Sequence, residues 1–164
     1  MSKADLRIEV CGTIDELNST LGVVLSIRYL ALSIRKELIK IQKDLLEIGS
    51  ILANPNPKYS IQNTKYFLIR VKEFEKLIDE MAESLPPLKN FILPGGGKTG
   101  ARLHLSRAVC RRLERGIVEL NERQKTDSSI IIYFNRLSDL LFTMARFANF
   151  KEKKKDKVWE KKQG

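Results

Sequence analysis

The 164-residue sequence has few of the side chains from which metal and redox centres are built. It contains one histidine, His104, and two cysteines, Cys11 and Cys110, which are not in CxxC spacing. A carboxylate-bridged di-iron site needs a glutamate three residues before a histidine on each of two helices, and here Ala101 occupies that position. We therefore expect no metal or redox centre made by the protein, and we expect Cys110 to be a small buried residue.

Long apolar runs are also missing. No segment reaches the roughly 18 apolar residues that a membrane span needs, and the N-terminus lacks the apolar core of a signal peptide. We expect a soluble cytoplasmic protein with a single helical domain, residues 1–150, and a basic C-terminal tail, residues 151–164. The net charge is +10, and the tail carries seven lysines against three acids, so we expect it to be frayed or loosely packed.

Alternation of period two, which indicates a half-buried strand, is absent over any useful length, whereas helical periodicity covers most of the chain. A T-x-x-E pattern at Thr13 and Glu16 predicts a capping box that starts the first helix. Short links between helices of similar length favour antiparallel neighbours, so we predict an all-α, five-helix up-and-down bundle. The fifth helix is so apolar that it must be central or covered by a second subunit. The four later helices are predicted at about 33–53, 61–85, 99–122 and 128–150.

A glycine-rich loop, PGGGKT at 94–99, is one candidate for phosphate binding. It is not a Walker A motif, because Ile92 stands where that motif needs its first glycine and no strand precedes it. The loop could still present backbone N–H groups to an anion at the start of the fourth helix. The apolar residues before it, Phe91 to Leu93, either cap the bundle or contact a flat apolar ligand.

The segment RAVCRRLER at 107–115 is the most informative in the chain. Arg107, Arg111 and Arg115 are spaced i, i+4, i+8 and therefore lie along one side of a helix. Like charges at this spacing repel by about 0.2–0.5 kcal/mol per pair, and only Glu114 interrupts the run. The row is either a solvated basic face or a binding site for a flexible, oxygen-rich polyanion such as a triphosphate.

Polar residues also interrupt the apolar fifth helix. Asn135 and Asp139 share one side at i, i+4, and burying either without a partner would cost about 1–3 kcal/mol. We expect the arginines of the fourth helix to be their partners, in a structural network or in a binding site. On the first helix, Asp15 remains after the capping box has used Glu16, and it is available to pair with an arginine.

Five stretches follow one another along the chain: GTIDELNSTLG at 12–22, IQKDLLEIGSILA at 41–53, FILPGG at 91–96, LHLSRAVCRRLER at 103–115 and YFNRLSDLLFTMAR at 133–146. In this order they resemble the PduO-type ATP:cob(I)alamin adenosyltransferases. The resemblance implies a homotrimer of five-helix bundles with active sites between subunits. It also implies transfer of the 5′-deoxyadenosyl group of ATP to cob(I)alamin, which yields adenosylcobalamin and triphosphate, with Mg²⁺ bridging the phosphates. A reductase and an adenosylcobalamin-dependent mutase would be partners, without nucleic acid or membrane.

The resemblance also implies roles for individual residues. Arg107 matches an arginine that pairs with an aspartate of a neighbouring subunit, for which Asp15 is the matching position; with Arg111, these two are the catalytic candidates. Phe91 would press on the lower corrin face, and Asp139 of the NRLSD motif would be a second corrinoid contact. The implied ATP contacts are Lys3, Arg111, Arg112, Glu114, Arg115 and Asn135.

The sequence differs from the family pattern at its N-terminus, and this difference leaves alternative functions open. Family members begin with a glycine-rich segment similar to T-R-T-G-D-x-G, which wraps the ATP phosphates, and this sequence starts just after that point. Either the segment was removed, or the start was assigned too late, or the protein lacks it, and true absence would weaken ATP binding and activity. The alternatives are a non-catalytic corrinoid- or nucleotide-binding relative and a basic helical nucleic-acid-binding protein, which the +10 charge favours.

Overall fold

The computed structural model describes residues 2–54 and 63–162. Its helical elements are α1 (Lys3–Leu25), α2 (Leu32–Ala53), α3 (Thr64–Ala82), α4 (Lys98–Arg123) and α5 (Ser128–Lys151). The described residues contain no strand beyond an isolated antiparallel bridge between Ile92 and Val158, so the prediction of an all-α, five-helix fold is confirmed. None of the helices in these ranges is both long enough and apolar enough to cross a membrane.

Helix α5 packs between α3 and α4. The closely packed helix pairs are α4 with α5, α3 with α5, α1 with α4, and α1 with α2. Phe134, Leu137 and Leu141 of α5 are fully buried between α3 and α4, which explains the apolar character of this helix. Each such side chain contributes about 1.5–3 kcal/mol by leaving water. The predicted inward positions of α2 and α4 are all buried: Leu38, Ile41, Leu45, Ile48 and Leu52, and Leu103, Ser106, Cys110, Leu113, Ile117 and Leu120.

The predicted start of α1 is wrong. The helix begins at Lys3, and its capping box is formed by Ser2 and Asp5, whose side chains each accept a hydrogen bond from the other's backbone N–H at 3.1 Å. Thr13 lies inside the helix and donates its hydroxyl to the carbonyl of Glu9 at 2.9 Å. Glu16 forms an ion pair with Arg112 of α4, so neither residue of the T-x-x-E pattern has a capping role.

The other helix ends agree with the prediction to within a few residues. Helix α2 ends at Ala53 with Asn54 as its C-cap, while the prolines that follow, in residues 55–57, lie outside the described residues. The predicted start of α3 at Ile61 also lies outside them, and the described helix begins at Thr64. It ends at Ala82, and the Pro86–Pro87 pair that follows disfavours helical backbone at Leu85 and so prevents the helix from continuing.

A buried charge network joins α2, α3 and α5. Arg70 of α3 is completely buried and donates from Nε to Asp44 of α2 at 2.7 Å and from Nη2 to Glu37 at 2.7 Å. The same Asp44 carboxylate accepts the hydroxyls of Tyr133 of α5, at 2.7 Å, and of Tyr66, at 2.5 Å. Burial together with the Asp44 hydrogen bond raises the pKa of Tyr66 to about 12. Burial also raises the pKa of Tyr133, so both hydroxyls remain donors at neutral pH.

The segment after α5 packs back onto the loop between α3 and α4. The Leu93 N–H donates to the Lys157 carbonyl, and the Trp159 N–H donates to the Phe91 carbonyl, both at 2.7 Å. Asp156 accepts from Arg146 Nε at 3.0 Å. This part of the tail is therefore fastened to the bundle and is not frayed as its lysine content predicts. The division of the chain at residue 150 stays a prediction.

Replacement of Arg70 by alanine should destabilise the fold strongly. Arg70→Ala leaves Asp44 buried without its cation, and breaking a buried pair in this way costs about 3–5 kcal/mol. Lys40→Ala is the matched control, because it removes an exposed ion pair with Glu73, formed at 3.0 Å, that contributes about 0–1 kcal/mol. The free energy of unfolding from urea titration measures both, and equal small losses would contradict the prediction.

Candidate active site

Helix α4 presents its arginines on the side opposite its buried stripe. Leu103 and Leu113 face the core, which fixes the rotation of the helix against α1 and α5. Arg111, Arg112 and Arg115 are consequently exposed, and the side chains of Arg111 and Arg112 each keep 52% of their surface accessible. The packing of α4 thus turns a row of guanidiniums toward solvent.

The exposed arginines have weak partners. Arg112 pairs with Glu16 of α1, and Arg111 Nη1 lies 3.5 Å from Glu114 Oε2. Arg115 forms no ion pair within the described residues and borders a 290 Å³ groove between α1 and α4. Exposed ion pairs of this kind contribute about 0–1 kcal/mol, so an incoming polyanion can displace them at small cost.

Glu114 connects the arginine row to α5. Its Oε1 accepts a hydrogen bond from Asn135 Nδ2 at 2.9 Å, while its Oε2 faces Arg111. The prediction that Asn135 and Asp139 pair with arginines of α4 is wrong. Asn135 contacts the acid instead, and Asp139 accepts from Arg136 of its own helix at 3.1 Å. Both residues are exposed, so neither had to be paired to avoid a burial cost.

At the N-terminal end of the arginine row, around His104 and Arg107, buried polar groups lack partners among the described residues. His104 is buried, and neither of its ring nitrogens has a hydrogen-bond partner within the described residues. Burial, with a smaller effect of Arg107, lowers the pKa of His104, so the imidazole is neutral at pH 7. Arg107 Nε is also buried without a partner there. Unpaired buried groups cost about 1–3 kcal/mol each, so a water, a ligand or a second subunit should complete this region.

Two further sequence candidates lie on α1. Asp15 is exposed, and it has no hydrogen bond or ion pair among the residues that the structure describes. Its pairing with Arg107 of another subunit stays a prediction. Lys3 is the first residue of α1, but its side chain lies outside the described part of the structure.

Phe91 lies apart from the arginines, in the loop between α3 and α4. Its side chain is 78% exposed, and its ring centroid lies 6.4 Å from that of Trp159. These two rings, with Leu88 and Lys89, border an open groove of 460 Å³. An aromatic ring held in this exposed position suits contact with a flat apolar ligand better than a role in the core.

The glycine loop is fastened to the C-terminal end of α5. Gly97 N–H donates to Asn149 Oδ1, and Asn149 Nδ2 donates to the Gly95 carbonyl, both at 2.9 Å. Thr99 donates its hydroxyl to Glu152 at 2.9 Å. The Gly97 N–H is therefore already occupied and does not form the anion site that the sequence left open. The roles of Asn149 and Glu152 were missed, because pairing between residues about 50 positions apart leaves no local pattern.

The candidate residues therefore form two clusters in one chain. Arg111, Glu114 and Asn135 lie together on α4 and α5, whereas Phe91 and Trp159 lie together at the loop and tail. No hydrogen bond, ion pair or ring contact joins the clusters within the described ranges. Asp139 borders a separate 470 Å³ groove with Arg136 and Phe142. One chain thus offers a polyanion-binding face and an exposed aromatic site as separate parts.

A five-helix bundle with this guanidinium row defines a helical protein suited to binding an oxygen-rich anion. The sequence profile of the family described as cobalamin adenosyltransferase matches residues 1–148, and the chain belongs to that family.

Relatives with known names support this membership. A cobalamin adenosyltransferase of Cupriavidus metallidurans is 37% identical over 98% of this chain and 84% of its own length. The corrinoid adenosyltransferase MMAB of Mus musculus is 50% identical over 91 residues, which are 56% of this chain. That match spans 38% of the mouse protein, and the other mammalian relatives are covered to a similar extent.

Solved structures share the fold. A variant of a PduO-type ATP:corrinoid adenosyltransferase from Lactobacillus reuteri, complexed with cobalamin and ATP, superposes with a TM-score of 0.83. It is 33% identical, and the match covers 98% of this chain and 90% of the other. A second variant of that enzyme, complexed with ATP, gives a TM-score of 0.82 at 34% identity, with the same coverage of each chain.

A side chain at Gly100 should disrupt the fastening of the glycine loop. A Cβ added there would overlap the amide group of Asn149, which is held from two sides. We expect Gly100→Ala to lower the free energy of unfolding by about 1–3 kcal/mol, as overpacking does. Gly12→Ala is the matched control, because a Cβ there meets nothing within 4 Å inside α1. It should stabilise the protein by about 0.5–1 kcal/mol. Chemical unfolding measures both, and a neutral Gly100→Ala would contradict the assigned contact.

Proposed function

We propose that the protein transfers the 5′-deoxyadenosyl group of ATP to cob(I)alamin. The lone pair of Co(I) attacks the 5′ carbon, a Co–C bond forms, and the C5′–O bond breaks with its electron pair leaving on triphosphate. The observation that carries the proposal is the exposed guanidinium row of α4, with one half-buried acid, in a chain of this family. The solved relative complexed with both cobalamin and ATP supports it.

The protein supplies binding and charge, not a nucleophile. Arg111, Arg112 and Arg115 would contact the phosphates, since guanidiniums bind phosphate oxygens through paired hydrogen bonds. Negative charge accumulates on the leaving triphosphate as the C5′–O bond breaks, so contacts that strengthen there lower the barrier. Glu114 and Asn135 would orient Arg111 and contact the nucleotide. Lys3 is proposed as a further nucleotide contact.

The corrinoid would bind at the exposed aromatic cluster. Phe91 would lie against the lower face of the corrin, where it disfavours the lower axial ligand of cobalt and so assists reduction of Co(II) to Co(I). Asp139 is proposed as a second corrinoid contact from its groove on α5. Phe91, Trp159 and Leu88 give this groove apolar surface for a large flat ring system, while Lys89 and Lys161 also line it.

Magnesium is proposed to arrive with ATP. No group of three or more His, Cys, Asp or Glu side chains in residues 2–54 and 63–162 could hold a metal ion. Mg²⁺ accepts phosphate oxygens and water as most of its ligands, so the triphosphate itself can supply the coordination. The metal would then neutralise part of the phosphate charge.

The separation of the two clusters supports a homotrimer with shared sites. An ATP face and a corrinoid face that do not meet in one chain can meet across a subunit boundary. Asp15 and Arg107 are the proposed contacts between subunits, because among the described residues the Asp15 side chain has no partner and Arg107 Nε is buried and unpaired. A reductase that supplies Co(I) and a mutase that uses the product are the proposed functional partners.

Substitution of Arg111 tests the role of the row. We expect Arg111→Ala to lower kcat/KM for ATP by about 10- to 100-fold, because one charge-assisted contact contributes about 1.5–3 kcal/mol. The melting temperature should change little, since the side chain is exposed. The assay follows loss of chemically reduced cob(I)alamin and gain of adenosylcobalamin with ATP and Mg²⁺.

Arg28→Ala is the charge-matched control, because Arg28 is exposed in the turn after α1 and lies outside the proposed site. It should leave the kinetics unchanged. The assay is run on the 164-residue chain and on one extended by a glycine-rich N-terminal segment. Absence of Co–C bond formation in both would refute the proposed function. Salt-sensitive binding of RNA or DNA in its place would favour the nucleic-acid alternative.

A further inference from the structure

The C-terminal tail forms a two-stranded contact with the loop that carries Phe91. The Trp159 N–H donates to the Phe91 carbonyl, and the Leu93 N–H donates to the Lys157 carbonyl, both at 2.7 Å. Between these two bonds, Ile92 and Val158 form an antiparallel bridge. The backbone from the Phe91 carbonyl to Leu93 is therefore held by residues more than 60 positions away.

An ion pair anchors the tail at the base of this contact. Arg146 of α5 is buried and donates from Nε to Asp156 at 3.0 Å. Its Nη2 donates to the Pro86 carbonyl at 2.9 Å. One guanidinium thus holds both the start of the loop and the start of the tail segment. Because Arg146 belongs to α5, which packs against α3 and α4, its hydrogen bonds tie both segments to the bundle.

Trp159 is the ring neighbour of Phe91. The two centroids lie 6.4 Å apart with planes inclined at 60°, and among the described residues no other aromatic ring contacts Phe91. Both side chains remain substantially exposed, so their contact is not forced by burial in the core. A ring that is 78% exposed would otherwise sample several rotamers, and a neighbouring ring restricts that freedom.

We propose that residues 156–159 are a positioning element for Phe91, with Trp159 holding the Phe91 ring in the orientation that the corrinoid meets. This inference rests on the proposed function, because it assigns Phe91 to the corrinoid site. Trp159 acts through Phe91 and is a positioning residue, not a catalytic one. A ring already held in place spares the cost of ordering it when the ligand binds, so the effect belongs to the corrinoid and not to ATP.

The contact between tail and loop is tested first, by hydrogen exchange of single backbone amides read by NMR. In Trp159→Ala, the Leu93 amide should exchange about three- to tenfold faster, the range that loss of one aromatic pair supports. Asp156→Asn, which weakens the anchor, should speed exchange at both Leu93 and Trp159. Trp159→Phe keeps a ring and should restore protection. Unchanged exchange at Leu93 in both Trp159→Ala and Asp156→Asn would overturn the proposal.

The positioning role is tested by kinetics with the same variants. Trp159→Ala should raise KM for the corrinoid about three- to tenfold while KM for ATP stays unchanged, and Trp159→Phe should recover most of the loss. Glu160→Gln, the exposed neighbour, is the control and should match the unaltered chain. Equal rises in both KM values, or no rise in the corrinoid KM, would overturn the proposal.

The two hypotheses can fail separately. The chain without substitutions is assayed with the glycine-rich N-terminal extension. If it forms no Co–C bond and binds no corrinoid, the proposed function fails. The positioning of Phe91 against a corrinoid then fails with it, even if the exchange data still show that the tail holds the loop. If the unaltered chain turns over normally and Trp159→Ala behaves identically, only the positioning inference fails.

Discussion

The bundle depends on one buried guanidinium. The closely packed helix pairs form a row, α2, α1, α4, α5 and α3, in which α2 and α3 stand at opposite ends. Arg70 closes this row into a bundle, because its hydrogen bonds to Asp44 and Glu37 join α3 to α2. A charge removed so completely from water is stable only when every donor is used, and Arg70 also bonds Glu73 and lies over the Phe74 ring. The Asp44 carboxylate also accepts hydrogen bonds from two tyrosine hydroxyls, Tyr66 of α3 and Tyr133 of α5.

The joining of α3 to α2 by Arg70 determines which helix faces stay exposed and can bind a ligand. Tyr133 lies edge to face with Phe67, Phe74 and Phe134 while it donates to Asp44, so the rotation of α5 is fixed by both apolar packing and a hydrogen bond. With that rotation, Asn135 points outward beside Glu114 of α4. The arginine face is therefore a consequence of where the core lies. The polar cluster needs no buried support of its own, because the helices that carry it are already fixed.

The apolar periodicity was sufficient to predict the helices, because each stripe recurs over several turns and one misplaced residue does not hide it. The start of α1 was mispredicted because Thr13 and Glu16 satisfy a local capping pattern, whereas the buried stripe through Leu6 and Val10 shows that the helix extends further back. The arginine row could be identified because its spacing is local. The contacts of Asn149, Trp159 and Arg146 could not, since they join segments whose proximity depends on the whole packing.

The arginine row also shows how a weak feature of the free protein can become strong in a complex. In water, neighbouring guanidiniums about 6 Å apart repel by less than about 1 kcal/mol, so the fold tolerates them on an open face. The same charges act far more strongly on phosphate once water is excluded, because the effective dielectric falls. At the N-terminal end of this row lie nitrogens of His104 and Arg107 that are buried and have no partner among the residues that the structure describes, so a covering group would meet polar atoms already desolvated. A site of this kind gains its strength when a ligand or a second subunit closes over it, whereas the helices that carry it are already fixed by the apolar core and the Arg70 network.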